Sequence, residues 1–422
     1  MLMIENSGRV LTYKEIERED WRSLVASSKT GTWFQGPEAY SFYESLPDLF
    51  QPFVLGVASL QLPPKGKRAE HHPSLQERTE DRLILRGVCV GYVTVEKNAV
   101  RQFFARRAII LGGPALADDC TDAEVIALLE AVKTKTRNLQ SSDNDLPSID
   151  PQSARKQVSR QTTAQFCAAG TESPQDSSQK HAALTKNTKN IFNLYAPIYI
   201  ETRNFNDFRK WKDAFAAAEF DYKPHLNFHV DPSTNNLSDN RCRQIRRACE
   251  AGATTMIIDK MSAVEPLNDE AQIREWYEVL AELYRTKVKT PLWPVEFFLE
   301  AYRQGVGKFL LVKYEGTVIG GNMVVTDGKT VYEWFECGMN AEYKEQYPSV
   351  MATWAGIQRA QENGCARYDM MGAGEPGVPY GVRDFKSEFG GEMVEHGRFL
   401  CVNKQLLYKI GATVVKIMKK FA

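Results

Sequence analysis

Between positions 380 and 388 the chain reads Y-G-V-R-D-F-K-S-E, which crowds Tyr380, Arg383, Asp384, Lys386 and Glu388 into one short stretch. A guanidinium takes a carboxylate or phosphate through two parallel hydrogen bonds, so Arg383, with the Tyr380 hydroxyl nearby, is equipped to hold an anionic group. The same residues also fit a plainer reading: a solvated polar helix, with Arg383 paired to Asp384 or Glu388 and Lys386 lying along apolar surface. The surrounding elements decide where these groups stand. An apolar run from Tyr368 to Met371 predicts a buried strand, and Gly372-Ala373-Gly374 ends it. A loop runs to Pro379, Phe385 and Phe389 mark the inner face of a short helix, and Gly390-Gly391 stops that helix. Met393 to Val402 then reads as one further strand. Loops at strand ends on a rigid scaffold are where sites sit. Asp369, on the apolar strand, needs a partner, because an unpaired buried carboxylate is costly.

At 422 residues the chain exceeds what one core usually serves, so two domains are expected. Its net charge of +0 gives no global field that would draw nucleic acid or membrane. The eight cysteines form no C-x-x-C pair and read as reduced, buried thiols, which fits a cytoplasmic protein. The start MLMIENSGRV does not read as a secretory signal, and no apolar stretch reaches the roughly 18–20 residues of a membrane span. His71 and His72 have no Cys or carboxylate at ligand spacing, so no metal site is expected.

Taken in order, the chain predicts helices over Tyr13–Ser28 and after Pro37. Strands follow over Phe53–Leu60, over Leu83–Glu96 with a turn at Arg86-Gly87, and over Phe103–Leu111. A helix is expected over Asp122–Arg137. Gln61–Arg82 reads as an exposed insertion. Gln140–Asn190, rich in Ser, Gln, Asn and Lys, reads as a disordered one. A strand (Leu194–Glu201), a helix (Asn206–Ala218) and a strand (Tyr222–Val230) close the first half. The second half repeats the order: helices over Asp239–Ala251 and Asn268–Lys287 (N-cap Asn268), then a helix after Pro294. The strands Lys308–Tyr314, Thr317–Val325 and Thr330–Cys337 form a meander, and a helix from Pro348 leads to the stretch already described. Matched order with little identity suggests a duplicated α/β module with a central mixed sheet. The expected division is 1–234, 235–402 and a basic amphipathic tail over 403–422.

The segments HLNFHVD (His225–Asp231), Tyr347-Pro348-Ser349 and MGAG…YGVRDFKSEFGG (Met371–Gly391) resemble the FemAB family, over nearly all of the chain outside the two insertions. That resemblance implies two tandem GNAT-like modules with mixed sheets. It also implies transfer of an aminoacyl group from aminoacyl-tRNA to an amine of a peptidoglycan precursor or similar acceptor. It sets Phe385-Lys386 beside the acyl-transfer centre, where Lys386 would donate to the acyl carbonyl as it becomes an oxyanion. It also assigns Tyr380, Arg383, Tyr347 and Ser349 to substrate binding, implies no cofactor and names no general base.

Two other functions remain open on the residues. An acyl-CoA-dependent N-acetyltransferase would need a glycine-rich turn before a helix to receive pyrophosphate. GGPALADDCTD and GMNAEYKEQYPS supply that pattern poorly, so a CoA donor is disfavoured. The other is a non-catalytic protein that keeps the cleft for binding. The clusters Arg101/Arg106/Arg107 and Arg241/Arg243/Arg246/Arg247 fit either a tRNA backbone or solvated faces, and no stable nucleic-acid complex is expected. The tail carries Lys404, Lys409, Lys416, Lys419 and Lys420 without an acidic residue, and Leu407, Ile410, Val414, Ile417 and Met418 recur near helical spacing. It either packs on the first module or meets an anionic membrane surface.

Overall fold

The computed structural model describes residues 8–60, 83–96, 105–139, 196–234, 236–262 and 264–420. The two expected insertions, Gln61–Arg82 and Gln140–Asn190, therefore lie outside the described residues. The strands are β1 (Arg9–Thr12), β2 (Phe50–Leu60), β3 (Leu83–Thr94), β4 (Ala108–Gly112), β5 (Ala115–Leu116), β6 (Tyr199–Asn204), β7 (Asp221–Lys223), β8 (Leu226–Val230), β9 (Thr254–Ile258), β10 (Lys308–Tyr314), β11 (Thr317–Thr326), β12 (Thr330–Gly338), β13 (Arg367–Gly372), β14 (Glu392–Glu395) and β15 (Arg398–Val402). The helices are α1 (Arg18–Ser27), α2 (Pro37–Glu44), α3 (Asp122–Asn138), α4 (Lys212–Ala217), α5 (Asp239–Glu250), α6 (Pro266–Leu283), α7 (Val295–Arg303), α8 (Pro348–Glu362), α9 (Gly381–Ser387) and α10 (Gln405–Lys420).

These elements form two mixed sheets. One runs β1-β2-β3-β4-β6-β15-β7, with β5 also on β3, and the other runs β9-β10-β11-β12-β13-β8-β14. Each is an antiparallel run of four strands, then one parallel neighbour, then two antiparallel strands. The duplication read from element order is thus present, position by position.

One strand of each sheet comes from the other half of the sequence. Tyr222–Val230, expected as a single strand, divides at Pro224-His225, so that β7 stays in the first sheet and β8 crosses into the second. Met393–Val402 divides in the same way at His396-Gly397, and β15 returns to the first sheet. Proline cannot donate to a ladder. Gly397 has φ +66°, and a Cβ there would lie 2.2 Å from the Tyr222 ring. A division at 234/235 would separate β8 and β15 from the sheets they complete.

The sheets also share apolar contacts. Phe34 packs edge-on to Trp334 at 5.0 Å, Phe42 meets Phe297 at 5.2 Å, and Phe50 meets Trp293 at 4.8 Å. Rings in this geometry gain more than their buried area alone supplies. Outside this shared layer, α3 and α4 cover the far face of the first sheet, while α5 and α8 cover that of the second.

Other local expectations shift for identifiable reasons. Leu83–Thr94 is continuous: the residue that suggested a turn, Arg86, is the extra residue of a bulge, since Val57 pairs with Gly87 and Ala58 with Leu85. The long helix starts at Pro266 after Glu265, ahead of Asn268, because proline suits a first helical turn. Tyr13–Ser28 breaks into a 3₁₀ turn and α1. The 206–218 helix is a 3₁₀ turn followed by α4. Cys242 and Cys249 are exposed rather than buried.

Candidate functional site

The two sheets differ at their parallel step. β4 stays paired with β6 from Ala108 to Gly112. β12 and β13 pair only over Thr330–Tyr332 and Arg367–Asp369, and then part. β13 is irregular just beyond, where its register on β8 slips between Asp369 and Gly372 and Met371 takes φ +60°. A non-glycine residue in that region is strained and marks a place worth attention. Past the end of the β12 ladder, the Met370 and Gly372 carbonyls accept instead from Lys386, whose Nζ donates to both, at 2.8 Å to Gly372 O. Lys386 is 7% exposed, so the reading of a solvated lysine is overturned. Burial pushes its pKa down, while Glu333, Asp369 and Glu336 act in the opposite sense.

Two of those carboxylates come from β12 and were missed in the sequence reading. Glu333 and Glu336 lie three apart, which in a regular strand sends them to opposite faces. The β11–β12 register skips Trp334, since Met323 pairs with Phe335 and Val324 with Glu333, and this bulge brings both carboxyls to one side. Glu333 Oε2 accepts from the Tyr368 hydroxyl at 2.5 Å. Burial raises its pKa, against the pull of Lys386 and Tyr368. Burial, then Glu333, pushes Glu336 up to about 8, and its buried Oε1 has no hydrogen-bond partner among the described residues. The available signal was a pair of acids inside the apolar run TVYEWFECG.

Asp369 finds the partners it needed. Its Oδ1 accepts from Met371 N at 2.7 Å, and its Oδ2 lies 3.2 Å from His229 Nε2 on β8. Burial would raise its pKa, but His229 holds it below the usual carboxylate range.

The other expected residues are placed unevenly. Arg383 pairs with neither Asp384 nor Glu388; its Nε donates to Ala373 O at 3.0 Å and its Nη2 to Glu375 O at 2.6 Å, fixing the loop after β13. Tyr380 is exposed and covers Gly374 in that loop. Phe385 turns away from Lys386. Its ring lies 4.4 Å from the Arg241 guanidinium, and its carbonyl accepts from Arg241 at 3.1 Å. Tyr347 precedes α8 with φ +43° and packs on the apolar layer below that helix. Ser349 lies beside Glu336 and favours its charged form. Of the basic clusters, Arg241 and Arg106 are buried, whereas Arg243, Arg246 and Arg247 are exposed and Arg101 lies outside the described residues.

The structure also tests a pyrophosphate cradle. Pro348 brings no N–H to the start of α8, and the Ser349 N–H is taken by Asn340 Oδ1 at 3.1 Å. At α3, Thr121 and Glu124 close a capping box, which sets a carboxylate at the helix start. At each helix start that follows the fourth strand of a sheet, one backbone N–H is thus taken by the chain's own side chain, which leaves a poorer cradle for a CoA pyrophosphate.

A cavity of about 690 Å³ lies at the strand-exchange seam, between the inner face of the first sheet and the loop after β13. On its wall Glu201 accepts from Arg203 at 2.8 Å and from Arg398 at 3.0 Å, and Arg398 meets His225 Nε2 at 2.9 Å. The two guanidinia hold Glu201 at about 2 despite its burial, and burial plus Arg398 lowers His225 to about 4. His225 also backs Gly372, the residue whose carbonyl Lys386 binds, so cavity and lysine adjoin.

Residues 240–387 match the family described as an acetyltransferase (GNAT) domain. Among solved structures, FemX is 12% identical with TM-score 0.54, over 95% of this chain and 99% of that one. A tandem GNAT protein from the clavulanic acid biosynthesis pathway is 9% identical with TM-score 0.45, over 94% and 98%. The C-terminal domain of a putative lysylphosphatidylglycerol synthetase from Agrobacterium fabrum is 9% identical with TM-score 0.44, over 78% and 85%. No curated protein matches the sequence. The fold is therefore a FemX-like tandem GNAT fold.

Proposed function

We propose that the chain is an N-acyltransferase moving an aminoacyl group from aminoacyl-tRNA to an amine, with a peptidoglycan precursor or a similar amine as acceptor. The observation that supports this best is the opening between β12 and β13. It holds a buried ammonium, bound to two carbonyls, beside a carboxyl poised near neutral pH. In this reading the acceptor nitrogen attacks the ester carbonyl, a C–N bond forms, and the ester C–O bond breaks. Lys386 spends two donors on β13 and directs the third at the oxyanion. Glu336 takes the proton from the attacking nitrogen, its raised pKa matching it to work near neutral pH, and returns it to the leaving hydroxyl. The capped starts of α3 and α8 favour a donor other than acyl-CoA.

The test supplies radiolabelled aminoacyl-tRNA pools and, separately, acetyl-CoA, each with diaminated peptide acceptors. Amide formation from the tRNA ester alone is expected. Saturable acetyl-CoA turnover would replace this reading with the CoA-dependent one, and turnover with neither donor would remove it.

A further inference from the structure

We propose that α10 docks the protein on a bilayer containing anionic lipids. Among the described side chains, the helix is tied to the body through Leu407 and Tyr408. Tyr408 packs edge-on to Tyr199 at 5.6 Å, and Leu407 and Tyr408 are half-buried. Leu406 and Ile410, one turn apart, are 61% and 47% exposed, so the apolar stripe that should pack on the first module is turned outward at its start. In the sequence the apolar spacing continues through positions 414 and 417, keeping the period that Leu406 and Ile410 begin. Lys404 is buried and stays with the body, which leaves Lys409, Lys416, Lys419 and Lys420 with no acid anywhere from 403 to 422. An exposed apolar stripe with lysines and no carboxylates complements an anionic lipid interface: the stripe enters the acyl boundary and the ammonium groups meet the headgroups. The helix is not a span, since no helix of the described residues is long and apolar enough to cross a membrane. Tyr408 also lines the seam cavity, so docking through α10 would set that cavity close to the headgroups. The inference does not depend on acyl transfer.

Flotation of the full chain with vesicles tests it. The protein is expected to float with vesicles of phosphatidylcholine containing phosphatidylglycerol, to stay down with pure phosphatidylcholine, and to be released by high salt. Leu406→Asp with Ile410→Asp should lower partition at least about tenfold. Its melting temperature should not change, because both side chains are already exposed. Lys409→Gln should lower partition about fivefold. Failure to float with either vesicle would overturn the proposal, as would a double aspartate variant that floats like the parent. A concentration-dependent dimer in sedimentation, abolished by the double variant and accompanied by no flotation, would also overturn it by assigning the face to a second copy.

Discussion

Lys386→Met separates the catalytic proposal from a structural role, because the proposal gives catalytic work to a side chain that already binds two carbonyls. The substitution keeps the apolar stem and deletes the ammonium, so the Met370 and Gly372 carbonyls lose their donor. Each buried carbonyl left unpaired costs about 1–3 kcal/mol. The variant no longer buries a cation, however, and the lowered pKa shows that burial works against the charged form. The two effects oppose each other, so the net loss should be about 1–3 kcal/mol, and melting should fall by roughly 2–10 °C. If the third N–H meets the oxyanion, turnover per folded molecule should fall by about 10²–10³, with substrate affinity much less affected. Both are measured at a temperature where parent and variant are fully folded, by single-turnover rates and by calorimetry. The pH dependence of melting gives an independent check. A lysine whose pKa is depressed in the folded state binds fewer protons there than in the unfolded chain. It therefore contributes stability that is present above the usual lysine value and is lost as pH falls through the folded value. The parent should lose melting temperature across that window, and the methionine variant should lack this component. A variant that melts lower yet turns over within about threefold of the parent would refute the oxyanion role. One that melts unchanged at every pH would refute the buried contact itself.

Three further variants test the structure. Glu336→Gln should lower the rate by about 10²–10⁴ and abolish a rise in kcat/KM with pH centred near 8. The raised Glu336 pKa also gives the parent stability that is present below the usual carboxylate range and lost as pH rises through about 8. Thermal melts of the glutamine variant should lack that loss. Gly397→Ala, at φ +66° and against the Tyr222 ring, should destabilise by about 2–4 kcal/mol in denaturant titration, since the backbone there disfavours a side chain and the ring must move. Arg383→Ala should loosen the loop after β13, lowering turnover about tenfold while unfolding free energy changes by less than about 1 kcal/mol in denaturant titration, because its contacts lie at a partly exposed loop.

What the sequence disclosed and what it concealed follow from the range of the interactions involved. The meander, the helix from Pro348 and the stop at Gly390-Gly391 are set by turn chemistry and period. Glu315-Gly316, for example, adopts the paired positive φ angles of a hairpin turn that its residues announce. Pro224 and Gly397 mark where the exchanging strands break, but no local mark says which sheet each half joins. Leu226–Val230 (LNFHV) and Arg398–Val402 (RFLCV) are short strands whose composition names no partner, and only pairing across the whole chain decides between the sheets. The same limit explains the site. Lys386 was legible as a candidate, but its burial was not, because burial depends on β13 having left the β12 ladder. Glu336 was hidden by the bulge at Trp334: under strict alternation Glu333 and Glu336 face opposite ways, and one extra residue turns an unremarkable pair into two carboxylates on one wall. The proposed site therefore lies where regular pairing fails in the second sheet, at the β12 bulge and at Met371 with its φ of +60°. The first sheet keeps its parallel ladder closed over the equivalent residues, and there the position of Lys386 has no counterpart opening to fill. The two sheets share one strand plan, and it is the shorter parallel ladder of the second that leaves room for the buried Lys386 on which the proposal rests.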